Sequence, residues 1–395
     1  MIIKSISKAT LISHAKIITL DTVIEQGYAF LKEGKIQSVG PMWALDPQLV
    51  HYSEELVDAR GSWLMPGFID VHVHGGYGHD FMDASMEALE GITRFHGCHG
   101  TTTMLATTMT APRGALTKVL QSVQAFSDKG MPYAQLEGVH LEGPFINSAY
   151  SGAQNPAYIV PPKQEWLDEW MEQHPGLIRL LTLAPESEGA LPLIEKLSNQ
   201  GTIIACGHTN ATYAQISEAI KHGLGHAVHT FNAMRGLHHR EPGVVGAIMT
   251  EEAISAEIIA DGHHVHPVCI RLLMQLKRND NLMLVTDAMS AAGLGEGDYQ
   301  LGGLDVTVKD GVATLKEGGG LAGSTLTMID AFRFMVNTVG VSVQEVSRLA
   351  SHNPAKALGI ENRTGSITAG KQADLLLASP DLSVDRVWVR GSVIC

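Results

Sequence analysis

The sequence predicts an α/β protein. Its main body is a (β/α)8 TIM-like barrel over residues 61–360, joined to a small β-sandwich domain built from both chain ends, 1–60 and 361–395. Three observations carry this. In the middle of the chain, runs of aliphatic or β-branched residues end in polar or glycine-rich residues, a helix-length amphipathic stretch follows, and the unit recurs. Eight such runs end near His72 and His74, Thr107-Thr108, His140 to Glu142, Ala184-Pro185, His208-Thr209, His229 to Asn232, Asp261 to His264, and Asp287, and six of the eight ends carry His, Glu or Asp. Barrel chemistry sits at such ends. Finally, both termini have strand texture without helical period. A doubly wound sheet is the alternative arrangement of the same units.

Taken in order, residues 27–40 alternate around Glu33-Gly34, as a hairpin does. Gly67-Phe68-Ile69-Asp70-Val71-His72-Val73-His74-Gly75-Gly76 then runs from apolar residues through a His-x-His pair into paired glycines, the pattern of a buried strand ending in a turn. Alternation puts His72 and His74 on one face, where two imidazoles can reach one ion. Ala211 to Ile220 exemplifies the helical stretches. Beyond Asp287, residues 304–315 alternate on either side of Lys309-Asp310-Gly311, which predicts a hairpin inserted near 297–318. Residues 373–378 and 387–391 return to strand texture.

Composition narrows the function classes. The net charge of −13 excludes a surface built for nucleic acid or anionic membrane, both of which need clustered Lys and Arg. A small anionic substrate remains compatible, because a few local cations outweigh a screened distant field. No apolar stretch is long enough to span a bilayer, and Met1-Ile2-Ile3-Lys4-Ser5 lacks the pattern of a signal peptide, so a cytoplasmic location is expected. The four cysteines, Cys98, Cys206, Cys269 and Cys395, are scattered without a C-x-x-C pair, which predicts neither a thiolate zinc site nor a disulfide framework.

Histidines and acids at strand ends form one set: His72, His74, Glu142, His208, His229 and Asp287. Nitrogen and carboxylate donors from separate strands suit a catalytic divalent metal with a position left open for water. Singly, each has a plainer reading: Glu142 as an ion-pair partner, His208 and His229 as helix caps, Asp287 as an N-cap before Ala288-Met289-Ser290. Jointly, at the strand ends of one barrel, they point to a metal centre.

These residues carry a family resemblance. The stretch Pro66 to Gly75 resembles the opening strand of the metal-dependent amidohydrolase superfamily. Leu141-Glu142-Gly143-Pro144-Phe145, Gly207-His208-Thr209-Asn210-Ala211, His229-Thr230-Phe231-Asn232-Ala233-Met234, Arg240-Glu241-Pro242-Gly243, Asp261-Gly262-His263-His264-Val265, Thr286-Asp287-Ala288-Met289 and Leu321-Ala322-Gly323-Ser324 resemble, more narrowly, the N-acetylglucosamine-6-phosphate deacetylase family. The likeness covers nearly the whole chain and includes Gly370 to Leu375.

The resemblance implies that Glu142, His208 and His229 hold a principal divalent ion, Zn2+ or Fe2+. His72 and His74 match a pair that builds a second site in some members, so one or two ions per subunit are expected. Asp287 matches the catalytic carboxylate, also a metal ligand. Ala153, Gln154, Asn232, Ala233, Arg240, His264 and Leu321 match substrate-contacting positions, and Arg240's counterpart reaches in from a neighbouring subunit, which implies a homodimer. The implied partner is a small amino-sugar phosphate, and the implied reaction is loss of its acetyl group in amino-sugar catabolism. At Gln154 many members have His, and a glutamine amide donates a hydrogen bond but cannot become cationic. The galactosamine epimer, a cyclic amide or a nucleobase as substrate, and a non-catalytic scaffold, are the competing readings.

Overall fold

The structure, a computed structural model, describes residues 8–277 and 281–395. The stretch Met1 to Ser5 lies outside the described residues.

Eight parallel strands form the central sheet: Phe68–Asp70, Thr101–Thr107, Gln135–Glu142, Ile178–Leu183, Ile203–Cys206, Leu224–Ala227, Ser255–Ile259 and Leu282–Val285. Each lies beside its neighbour in sequence, with no reversal of order of the kind a doubly wound sheet contains. Their residues are buried almost throughout, as parallel strands covered by helices must be. Helices such as Arg113–Lys129 and Tyr213–Lys221 connect them, the latter opened by a capping box between Thr212 and Gln215. The chain beyond the last strand returns to the first: Asp287 N–H donates to His72 O (2.8 Å), His74 N–H to Ala288 O (2.9 Å), and Thr286 Oγ1 to Asp70 Oδ2 (2.6 Å).

Strands from both termini share a second sheet. Thr10–Ile18, Val23–Lys32, Lys35–Pro41, Glu55–Asp58, Trp63–Pro66, Leu375–Ala378, Val384–Val389 and Ser392–Val393 are hydrogen-bonded into one eight-stranded sheet. Thr10–Ile18 organises it, pairing along one side with Val23–Lys32 and on the other with Glu55–Asp58 and then Trp63–Pro66. Register shifts between Ile12 and Ala15 and between Ala15 and Ile17 bend it, as bulges do. Apolar residues pack on separate clusters, Ile12, Ile17, Leu31 and Trp388 in one, Leu11, Tyr28 and Phe30 in another. The Glu33-Gly34 turn has both residues in the left-handed region (φ 53° and 75°), the geometry of a tight two-residue hairpin.

The insertion after Asp287 is a three-stranded antiparallel sheet, Gly297–Leu301, Leu304–Lys309 and Val312–Leu315. Its two turns, Gly302-Gly303 and Asp310-Gly311, are left-handed at both positions. Among the described residues, no helix is long and apolar enough to cross a membrane.

The expectation of no disulfide is corrected: Cys98 and Cys395 are joined. Helix Met86–Cys98 ends where strand Ser392–Val393 delivers the chain terminus, with Cα atoms 5.3 Å apart, inside the span a disulfide bridges. A pairing separated by 297 residues leaves no spacing motif to read. Cys206 and Cys269 are free.

Candidate metal centre

The hydrogen-bonded ladder of the first strand stops at Asp70, before His72 and His74, and Asp70's carboxylate accepts from His72 N–H and from Thr286 Oγ1. The chain stays pinned by Thr107, whose Oγ1 accepts from Val73 N–H and whose own N–H donates to Val73 O. His208, His229 and Asp287 likewise follow their strands and have φ of 48°, 30° and 50°. Non-glycine residues rarely adopt this region, and it concentrates at functional sites. Asp287 opens no helix, the next element after it being the strand Gly297–Leu301, and neither His208 nor His229 caps one, so the plainer readings of these three fail.

Six side chains converge. His208 Nε2, His229 Nε2 and His72 Nε2 lie 3.1, 3.2 and 3.3 Å from Glu142 Oε1. His74 Nε2 lies 3.2 Å from both Glu142 Oε2 and Asp287 Oδ1. His72, His74 and Asp287, and again His72, Glu142 and His229, place donor atoms within 4.8 Å of one another. All are buried, with Asp287 at 8% exposure the most open.

The donor chemistry fits a cation. His208 Nδ1–H donates to Tyr150 O (3.0 Å) and His72 Nδ1–H to Glu257 Oε2 (2.8 Å), which leaves the Nε2 atom of each ring as the one that faces the oxygens of Glu142. His208 Nε2 and His229 Nε2 are only 3.1 Å apart, and His72 Nε2, buried, has no hydrogen-bond partner. Lone pairs brought together this way repel unless a proton or a metal ion sits between them. The titration behaviour says the same. Burial alone pushes His74 down, but Asp287 and Glu142 against its ring raise it to about 9. Burial raises Asp287, but His72, His74 and His229 beside it hold it below the ordinary carboxylate value. Glu142 is likewise held down by the histidines around it.

A cavity of about 300 Å³ opens over this cluster, lined by His74, Glu142, His208, His229 and Asp287 and also by Ala153, Gln154, Asn232, Ala233, His264 and Leu321. Gln154 is buried and fixed at both ends: Nε2 donates to Glu142 Oε2 (2.6 Å) and Oε1 accepts from Thr110 N–H (2.6 Å). His264 Nδ1 is bonded to Asp261 Oδ2 (2.6 Å), which overcomes the effect of burial and raises its pKa. Leu301 and Gly320 bring the inserted sheet and the loop after it to the rim. Arg240 is the exception among the sequence-derived residues. It is exposed, it does not line the cavity, and its guanidinium Nη1 rests 2.8 Å from His239 Nε2.

Sequence reasoning assigned no role to Glu257, His226 or Asp261. Glu257 is fully buried within Ser255–Ile259, where it accepts from His72, from His226 Nε2 (2.9 Å) and from His229 N–H (3.2 Å). The available signal was a lone acid in an otherwise apolar strand.

This fold and this cluster define a metal-dependent hydrolase class. The Amidohydrolase family model matches residues 63–394, and the chain belongs to that family. N-acetylglucosamine-6-phosphate deacetylase of Bacillus subtilis (strain 168) is 39% identical over 390 residues, covering 98% of this chain and 97% of the relative. N-acetylgalactosamine-6-phosphate deacetylase of Escherichia coli O157:H7 is 38% identical over 354 residues, 90% of this chain and 92% of the relative. Among solved structures, a mutant N-acetyl-D-glucosamine-6-phosphate deacetylase from Mycobacterium smegmatis in complex with N-acetyl-D-glucosamine-6-phosphate superposes with a TM-score of 0.91 at 32% identity, covering 98% of this chain and 99% of that one.

Proposed function

We propose that the chain hydrolyses the acetamide of N-acetyl-D-glucosamine 6-phosphate, releasing D-glucosamine 6-phosphate and acetate. The observation that carries the reading is the convergence of His74, Glu142, His208, His229 and Asp287 on one wall of a cavity, with the fully buried His72 against Glu142, in a chain whose relatives bear that activity's name. Glu142, His208 and His229 would hold a principal divalent ion, Zn2+ or Fe2+, and His72, His74 and Asp287 a second. Such an ion lowers the pKa of water toward neutrality and polarises a carbonyl oxygen.

The chain's own groups do the rest. Asp287, which lines the cavity with Oδ1 3.2 Å from His74 Nε2, would accept the proton of the attacking water and return it to the departing nitrogen, which cannot leave as an anion. Gln154 spends one amide hydrogen on Glu142 Oε2, and the other, held only by Met109 Sδ at 3.9 Å, a weak acceptor, is the one a substrate oxygen would take over. His264 lines the cavity with Nδ1 tied to Asp261 Oδ2, and that carboxylate favours the protonated ring, in which Nε2 is a donor as well. Asn232, Ala233 and Leu321 supply the walls that seat the sugar phosphate. Arg240, exposed in one subunit, would complete the phosphate site of a second in a cytoplasmic homodimer, where a guanidinium suits paired phosphate oxygens.

In architecture, we take the parallel sheet to close as a TIM-like barrel over residues 61–360 and the terminal sheet to fold over itself as a small β-sandwich, 1–60 with 361–395. The bonds from Asp287 and His74 across to the opposite edge support closure.

The test is acetate release by metal-replete protein from N-acetylglucosamine 6-phosphate, beside the unphosphorylated sugar and the galactosamine epimer. Fast release from the first alone is expected. Release from the epimer alone would favour the reaction of the Escherichia coli relative, and release from none, with metal bound, would overturn the assignment.

A further inference from the structure

Glu257 lies within strand Ser255–Ile259, below the strand ends where the other site residues cluster, and it is completely buried. A carboxylate in such a place is unfavourable unless it is fully hydrogen-bonded. Its three donors are the Nδ1–H of His72 at 2.8 Å, the Nε2 of His226 at 2.9 Å and the backbone N–H of His229 at 3.2 Å. None is a lysine or arginine, and two of the three belong to residues of the candidate centre.

The bond to His72 sets that ring's chemistry. With the proton on Nδ1, Nε2 becomes the lone-pair nitrogen, and it is Nε2 that faces Glu142 at 3.3 Å and Asp287 at 3.5 Å. His208 obtains the same tautomer from the carbonyl of Tyr150, a neutral acceptor. His72 obtains it from an anion, which makes the ring a stronger donor toward a metal. A second divalent ion close to a first also requires added negative charge, and Glu257 joins Glu142 and Asp287 as a third carboxylate in a space where one ion needs fewer.

We infer that Glu257 is the positioning residue that equips the His72 and His74 side of the centre to hold a second metal ion, by fixing His72 as an Nε2 ligand and supplying the charge behind it. This rests on the metal reading under Proposed function, and the experiment separates the two. Metal bound per chain is measured by elemental mass spectrometry across a series of competing-chelator concentrations, for the parent, Glu257→Gln, His72→Asn and the double variant.

The parent should hold two ions. Glu257→Gln, nearly the same shape, should keep one and bind the other about 10–100-fold more weakly. His72→Asn should lose that same ion, and adding Glu257→Gln to it should change metal affinity no further. Two ions held with parental affinity by Glu257→Gln would overturn the inference, including the case in which only the thermal stability of the metal-free variant falls, which is what a purely structural role predicts. A parent holding one ion overturns the inference and leaves the deacetylase reading standing, whereas a parent holding none removes both. Should Glu257→Gln fail to fold, nitrogen-15 spectra of histidine in the metal-loaded parent, assigned with His72→Asn, decide the matter. A protonated, exchange-protected Nδ1 on His72 supports the inference, and a protonated Nε2 overturns it.

Discussion

Asp287 has its backbone held on both sides, N–H to His72 O at 2.8 Å and carbonyl oxygen accepting from Ser324 N–H at 2.7 Å, in a left-handed conformation with φ of 50°. Asparagine tolerates that conformation as well as aspartate does, so Asp287→Asn removes the charge and little else. Turnover should fall by about 10²–10⁴-fold, the worth of a general base, with at least one ion still bound. Steady-state rates together with metal analysis check this, and near-parental turnover would remove Asp287 from the mechanism. His74 gives a prediction about pH. In the metal-free protein its pKa is raised from 6.5 to about 9, so it contributes stability that is complete below pH 6.5 and lost as pH rises through about 9. A ligand histidine must be neutral, so the metal-loaded protein runs the other way and releases its ion as pH falls. Thermal scans with and without chelator should therefore diverge across this window, the chelated protein melting progressively lower toward pH 9.

At the scale of elements, the sequence displayed the strand ends well and the strands' interiors poorly. His72, His74, Glu142, His208, His229 and Asp287 were legible because the apolar runs recur eight times and six of the eight end in His or an acid. Glu257 was hidden because an acid inside an apolar strand looks like a solvent-facing position until the far side of the sheet is known. Arg240 had a motif but no geometry, since one chain carries no record of where a neighbour lies. Gly207 shows how the strands set the ligands. A Cβ built there would fall 2.2 Å from Val228 Cγ2, 3.0 Å from Thr182 Cγ2 and 3.7 Å from His229 Cε1. Only a glycine lets the chain entering His208 pass so close to the chain entering His229. Gly207→Ala should thus destabilise the fold by about 1–3 kcal/mol, as overpacking does, and weaken metal binding as well. Denaturant titration of the metal-free protein separates the first effect from the second. Unchanged metal affinity would mean that the two histidines are positioned independently of this contact.

On the whole molecule, two features act across distances the sequence does not mark. Arg240 is exposed beside His239 and outside the cavity of its own subunit. If it serves a neighbour, Arg240→Ala should raise KM by about tenfold, the loss of one charged hydrogen bond, and leave kcat and metal content near parental values. A substrate titration checks this, and an unchanged KM would confine Arg240 to the surface. The second feature is the bond between Cys98 and Cys395, which ties the chain just beyond the last strand of the terminal sheet to the helix Met86–Cys98. On that helix His96 Nε2 donates to Gly75 O (2.9 Å), the residue after His74, so the chain's end is fastened to the segment that backs the metal cluster. A cross-link enclosing 297 residues restricts the unfolded chain strongly, and removing a disulfide of this kind typically costs about 2–4 kcal/mol. In non-reducing solution Cys395→Ser should be less stable than the parent by that amount in denaturant titrations, and added dithiothreitol should bring the parent down to the variant. Turnover well below the melting range should be the same in both, because every group that touches the cavity keeps its own hydrogen-bond partners. If instead turnover falls with the cross-link, the helix is transmitting the position of the chain's end to His74, and the terminal sheet belongs to the catalytic unit rather than to its support.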